Sequence, residues 1–109
     1  PFSRYVILLA AVGENVGDLG GLTIAHTAFL IAKPDATVEE RRALFTNWAF
    51  CWRTKRRKEQ EQQFLTIDPH SPPEFRANIV RNLDEFHEVF ATAPGDGLWL
   101  DRTDRVRIW

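Results

Sequence analysis

The chain has 109 residues, 44% hydrophobic and 27% charged, with a formal net charge of −1 and a single cysteine, Cys51. That length holds one modest core, since a chain of this size buries roughly two thirds of its unfolded surface. The charge balance excludes a general polyanion binder, which needs surplus cations to displace counterions. One cysteine excludes an intrachain disulfide and leaves the redox compartment, and so the localisation, unknown.

Residues 1–12 read as an extended N-terminal segment or a cut end. Their apolar run, Val6 to Val12, is too short to span a bilayer, which takes ~20 residues, so no membrane segment is expected. A first helix opens at Glu14 and ends near Lys33-Pro34, because the residue before proline avoids the helical region. It is apolar nearly all round, the pattern of a helix buried in a protein larger than this one. Gly17, Gly20 and Gly21 each cost on the order of 1 kcal/mol of helix propensity against Ala, which points to close approach of another backbone. Glu14 and Asp18 are four residues apart and share a helix face. Acidic residues in a first turn complement the helix dipole, but buried carboxylates also call for a cation or a metal.

Thr37-Val38-Glu39-Glu40 fits a capping box and starts a second helix. Leu44, Phe45, Trp48, Ala49, Cys51 and Trp52 recur at three and four along one predicted buried stripe. Arg53 to Lys58 is the densest basic run. It reads as the solvated C-terminal end of a helix rather than a nucleic-acid patch, because no aromatic residues are interleaved with its cations. A helical stretch follows to about Leu65.

Next comes Asp68-Pro69-His70-Ser71-Pro72-Pro73-Glu74-Phe75-Arg76. An acid, an imidazole and a guanidinium sit there in a loop stiffened by prolines, the setting in which binding and catalytic groups concentrate. Ser71 and Glu74 fit a second capping box, with proline in the first turn of a short helix. Phe75, Ile79 and Val80 are predicted to line the buried side of that helix. A last short helix, capped by Asn82 or Asp84, presents Leu83, Phe86, Val89 and Phe90. Ala93 to Gly97 is a turn, and the apolar tail ending Val106-Arg107-Ile108-Trp109 is predicted to dock on the body. His87-Glu88 begins like a zinc-binding H-E-x-x-H, but residue 91 is Ala, so that reading fails. The fold class is mainly α: four to five helices, a capped loop at 68–76 and a short extended C-terminal tail.

Two motifs at their separation resemble the neprilysin-like zinc metallopeptidases. Gly13-Glu14-Asn15-Val16-Gly17-Asp18 is similar to that family's E-N-x-x-D helix, and Asp68-Pro69-His70-Ser71-Pro72 with Phe75-Arg76 to its D-x-H-S-P-x-x-F-R segment. Val106-Arg107-Ile108-Trp109 resembles its C-terminal ending. The resemblance covers residues 13–109 and implies the C-terminal portion of a thermolysin-like (gluzincin) catalytic domain.

It implies that Glu14 is a ligand of a catalytic Zn2+ and that Asp18 orients a zinc-bound histidine, as carboxylates behind ligating histidines do. It makes His70 the donor to the oxyanion of the tetrahedral intermediate, with Asp68 orienting its ring and keeping it basic. Arg76 would bind a substrate carbonyl, and Trp52 would stand beside the pocket for the side chain after the cut bond. The partners implied are a peptide substrate and the remainder of the catalytic domain, with no nucleic acid. The family's H-E-x-x-H, which supplies two histidine ligands and the water-activating glutamate, is missing from this sequence. The chain alone is therefore expected to be inactive and to hold zinc weakly. The alternative reading is a non-catalytic helical interaction module that pairs with a second copy of itself.

Overall fold

A single long helix sets the frame. In the computed structural model, which describes residues 2–68 and 70–109 and side chains from Ala11 on, α1 runs Phe2–Ala32. It begins earlier than the Glu14 start expected from sequence, because no proline or turn residue interrupts the run before Gly13. It stops at Pro34, as expected.

Four more α-helices come after it: α2 Val38–Cys51, α3 Lys58–Ile67, α4 Pro73–Ala77 and α5 Asp84–Phe90. 3-10 turns lie at Asn78–Asn82 and Arg102–Asp104. Among the described residues there is no strand, so the chain is mainly α with five helices, as the sequence indicates.

Local chemistry explains most of these boundaries. The Thr37 box forms: Thr37 N donates to Glu40 Oε2 at 2.9 Å, and Glu40 N to Thr37 Oγ1 at 3.2 Å. Lys33 closes the turn by an ion pair with Glu40. The second predicted box does not form, because Pro72 itself takes the N-cap position and Pro73 the first turn, with no side-chain cap. Neither Asn82 nor Asp84 caps α5, whose N-cap is Leu83. The basic run also departs from expectation. Trp52 ends α2, its N–H donating to the Ala49 carbonyl at 3.2 Å, so Arg53 to Arg57 form a non-helical connection rather than a helix end.

The core is Leu19 and Leu22 of α1, Phe45 of α2, and Val80, Leu83, Phe86 and Val89. Leu44, Trp48, Ile79, Phe90, Leu98 and Ile108 pack around it. In the predicted α2 stripe, Ala49 and Cys51 are exposed, because α2 buries only its central turns before it ends. Phe75 is also exposed, at 65%, since α4 is a single turn whose inward position goes to Arg76. Phe45 meets Phe86 edge to face at 5.7 Å.

The tail docks as expected. Asn82 Oδ1 accepts from Val106 N at 2.9 Å, and Asp84 pairs with Arg105 at 2.8 Å and with Arg102 at 3.3 Å. These contacts bring the Trp109 ring within 3.3 Å of a Cβ built on Gly20. The close approach expected at the glycines is thus a side chain at Gly20, while Gly17 and Gly21 meet nothing within 4 Å. Along α1, Val12, Val16, Ile24 and Ile31 are 48–75% exposed. The helix also lengthens the molecule: the radius of gyration, 15.6 Å, exceeds the ~13 Å of a compact chain of this length.

Candidate functional site

Glu14 and Asp18 stand one turn apart on α1, ahead of its buried Leu19 and Leu22. The 68–76 segment crosses that face because Val80 and Leu83, just beyond it in the chain, are anchored in the core against the same helix. All six residues singled out from sequence meet here. Arg76 donates from Nε and Nη2 to the two carboxylate oxygens of Asp18 at 2.7 and 2.8 Å. Its Nη1 lies 3.7 Å from Glu14 Oε2. The guanidinium sits over the Trp52 ring, 3.9 Å from the centroid, and the Arg76 carbonyl accepts from Trp48 Nε1 at 3.2 Å.

The loop supplies the other side. Asp68 Oδ1 accepts from the His70 backbone N–H at 3.0 Å, closing an Asx turn, and lies 2.5 Å from His70 Nδ1. This is the physical content of the D-x-H spacing: one carboxylate oxygen holds both backbone and ring. The imidazole's Nε2 then points to Glu14 Oε1 at 3.3 Å. Pro69 lies outside the described residues.

The electrostatics derive from these contacts. The hydrogen bonds from Arg76 to Asp18, reinforced by the charges of Asp18 and Glu14, hold the guanidinium's pKa above its ordinary value. The His70 backbone N–H, then its ring, pulls the Asp68 carboxyl below the usual range, with a smaller contribution from Arg56. Asp18 is 10% exposed, Arg76 18% and Glu14 30%, whereas His70 is 57% exposed. The cluster is thus a guarded ion pair with an imidazole on its open side. Three polar atoms in or beside it are buried and unpartnered: Glu14 Oε2, Asn15 Oδ1 and Trp52 Nε1.

Sequence reasoning placed Asp18 behind a histidine and Arg76 on a substrate, and did not anticipate that they bind each other. A carboxylate and a guanidinium flanking one site are the available signal, but the 58 residues between them hide it. Trp48, read as core, also braces the Arg76 backbone. His87, rejected as a zinc ligand, accounts for both ring nitrogens structurally, with Arg81 O at 2.7 Å and Thr92 Oγ1 at 2.5 Å.

A zinc site takes three protein ligands and an open position. Among the described residues no group of three or more His, Cys, Asp or Glu side chains is arranged to hold a metal. Glu14, with one buried carboxylate oxygen that accepts no hydrogen bond and lies 3.7 Å from Arg76 Nη1, fits the role of a single ligand to an ion whose other ligands come from elsewhere.

The helical scaffold brings the carboxylates of Glu14, Asp18 and Asp68, the His70 ring and the Arg76 guanidinium to one polar cluster. The model for Peptidase family M13 matches residues 9–106, and the chain belongs to that family. It is 41% identical over 99 residues to the neutral endopeptidase of Lactococcus lactis subsp. lactis (strain IL1403), covering 90% of this chain and 15% of that protein. Similarity extends to Neprilysin-3 of Drosophila melanogaster, 30% identical over 109 residues, and to endothelin-converting enzyme 1 of Homo sapiens, 33% over 108 residues, each covering 90% of this chain and 14% of the relative. The chain therefore spans about a seventh of the length of these relatives. No solved structure matches it.

Proposed function

We propose that these residues are the C-terminal portion, 13–109, of a zinc endopeptidase catalytic domain, which hydrolyses peptide bonds by metal-activated water. One observation carries the proposal. Six side chains from α1, the C-cap of α2, the 68–70 loop and α4 converge on one cluster whose Glu14 carboxylate keeps a buried oxygen, Oε2, that accepts no hydrogen bond and meets only the Arg76 guanidinium at 3.7 Å. Buried polar atoms are usually hydrogen-bonded, so a Glu14 oxygen with no hydrogen-bond donor supports a site finished by groups outside these residues.

In this reading Glu14 is a metal ligand, and the metal when bound supplies an activated water and a polarised carbonyl. The chain's own groups do the rest. Asp68 fixes the His70 ring through Nδ1, and Nε2, which faces Glu14 Oε1 at 3.3 Å here, donates to an oxyanion once Glu14 turns to the metal and the ring is protonated. Asp18 holds Arg76 and orients a ligating histidine. The Arg76 Nη1 edge, not used by Asp18, is available to a peptide carbonyl. Trp52 walls the pocket for the side chain after the cut bond. The substrate is a peptide, and the chain's partner is the rest of the catalytic domain.

The 109 residues alone lack H-E-x-x-H, so purified chain is expected to show no chelator-sensitive cleavage of peptides and only weak zinc binding. Co-expression with a segment carrying H-E-x-x-H is expected to restore both. Tight stoichiometric zinc on the isolated chain overturns the reading. A second reading, a non-catalytic module pairing two copies, would use the exposed apolar side chains of α1; a tight dimer with no response to the co-expressed segment would support it.

A further inference from the structure

The chain carries 14 Lys and Arg, and outside the 53–58 run every one whose side chain is described is spoken for. Lys33 pairs with Glu40, Arg41 with Glu88, Arg76 with Asp18, and Arg102, Arg105 and Arg107 with Asp84. Arg42 donates to the Val89 carbonyl and Arg81 to that of Trp99. In the run, Arg53, Lys55, Arg56, Arg57 and Lys58 are all exposed. Among the described residues none of the five forms an ion pair. Positive charge without an ion-pair partner is thus concentrated in the 53–57 connection and the first residue of α3, Lys58, in a chain whose net charge is −1. Five neighbouring like charges repel one another, and Glu59 and Glu61 in the first turn of α3 offset that repulsion only from a distance, forming no ion pair with them.

The position of the run is as telling as its charge. It begins at the residue after Trp52, whose ring lies under the Arg76 guanidinium, and leads into α3, which returns the chain to Asp68. Two of its members are seated on aromatic rings, Arg53 over Phe50 at 5.1 Å and Arg56 over Phe64 at 4.5 Å. The Arg56 charge reaches the Asp68 carboxyl. Lys55, Arg57 and Lys58 are left without either kind of partner.

The geometry points to the 53–58 connection as a specificity element that selects peptides with an acidic side chain close after the bond to be cut. This inference rests on the peptidase reading. In this inference the peptide runs from Trp52 towards Arg53; at ~3.3 Å per extended residue, the residues after the one against Trp52 then come within reach of the run's long side chains. Exposed charge pairs contribute up to ~1 kcal/mol each, enough to rank substrates while leaving the chemistry to the cluster. Nucleic acid is the competing ligand for such a run, but the run's two ring contacts are made by arginines, and no aromatic residue within it is free to stack on a base.

The experiment uses the zinc-loaded holoenzyme that contains this chain. Its probes are internally quenched peptides identical except for Asp, Asn or Lys at the first, second or third position after the cleaved bond. The expected result is kcat/KM for Asp over Asn of about fivefold at one of these positions, with Lys below Asn. The ranking should collapse at ~1 M salt, where the screening length is ~3 Å. The double substitution Lys55→Glu with Arg57→Glu should invert the order, an outcome that misfolding cannot mimic. Chelator-sensitive cleavage with no charge ranking overturns this inference and leaves the peptidase reading standing. No chelator-sensitive cleavage of any peptide overturns both. A DNA oligonucleotide that competes at low salt more strongly than the Asp peptide overturns the assignment to acidic peptides.

Discussion

Arg76 touches more of the site than any other residue, binding Asp18 with two donors, approaching Glu14 and lying over Trp52. Arg76→Ala leaves Asp18, 10% exposed, without its partner. Stranding a mostly buried carboxylate costs about 2–3 kcal/mol, a large share of a typical folding free energy of ~5–15 kcal/mol. Arg76→Lys retains the charge but loses the fork and the flat stack, so urea denaturation should rank wild type above Lys above Ala. A Lys variant as stable as wild type would show the bidentate geometry to be unimportant. His26 is a second informative residue. It is 5% exposed, stacked on Phe45 at 5.7 Å, and its Nε2 has no partner. Burial holds its pKa below the ordinary 6.5, and the Arg41 charge acts in the same direction, against the opposing charges of Glu85 and Glu88. As pH falls through about 6.5 the unfolded chain takes up a proton that the folded one refuses. Stability therefore declines on acidification until the folded His26 itself protonates. Thermal melts at pH 7.5 and 5.5 should differ less for His26→Phe than for wild type; equal differences would remove His26 as the cause.

Helix ends and helix faces were legible in the sequence to different degrees. Thr37 to Glu40 declares α2 because a capping box is local chemistry, and Glu14 with Asp18 shares a face because helical spacing alone requires it. Ser71 to Glu74 misled, since two prolines shift the cap by one residue, and the basic run misled because only the structure shows Trp52 closing α2. That Asp18 and Arg76 should meet was not legible at all from spacing, as the contact depends on how Val80 and Leu83 seat on α1. The C-terminus of α5 carries a feature of the same kind. Ala91 adopts a left-handed conformation with φ 50° and ψ 42°, where a Cβ costs roughly 1–2 kcal/mol and glycine is the usual occupant. Ala91→Gly should raise stability by about 1 kcal/mol in urea titration; a loss would mean that the Ala91 methyl is wanted for packing. On α1, Gly17→Ala and Gly21→Ala meet open space in this chain. Each should therefore stabilise the isolated chain by up to ~1 kcal/mol. In the holoenzyme the same changes should lower activity if the rest of the domain approaches α1 there, and unchanged activity would argue that nothing does.

At the scale of the whole molecule, the question is how the apolar side of α1 is covered when this chain is alone. Val12, Val16, Ile24 and Ile31 are each about half or more exposed. Covering the exposed part of each recovers roughly 1 kcal/mol. Two chains associating must first offset an entropy loss of ~4–15 kcal/mol, so four side chains from each copy bring a homodimer only near threshold. A covalently continuous domain meets no such cost, because its covering surface is already tethered at high effective concentration. The same four residues thus favour burial within one longer chain over pairing of two short ones. Isolated chain should accordingly sediment near its 12.6 kDa monomer mass at low micromolar concentration and bind an apolar dye. Val16→Glu with Ile24→Glu should reduce dye binding without unfolding the chain, since neither side chain belongs to the core. A dimer that persists at nanomolar concentration and binds no dye would mean that α1 is built for a second copy, and the domain-fragment reading would give way to the interaction module.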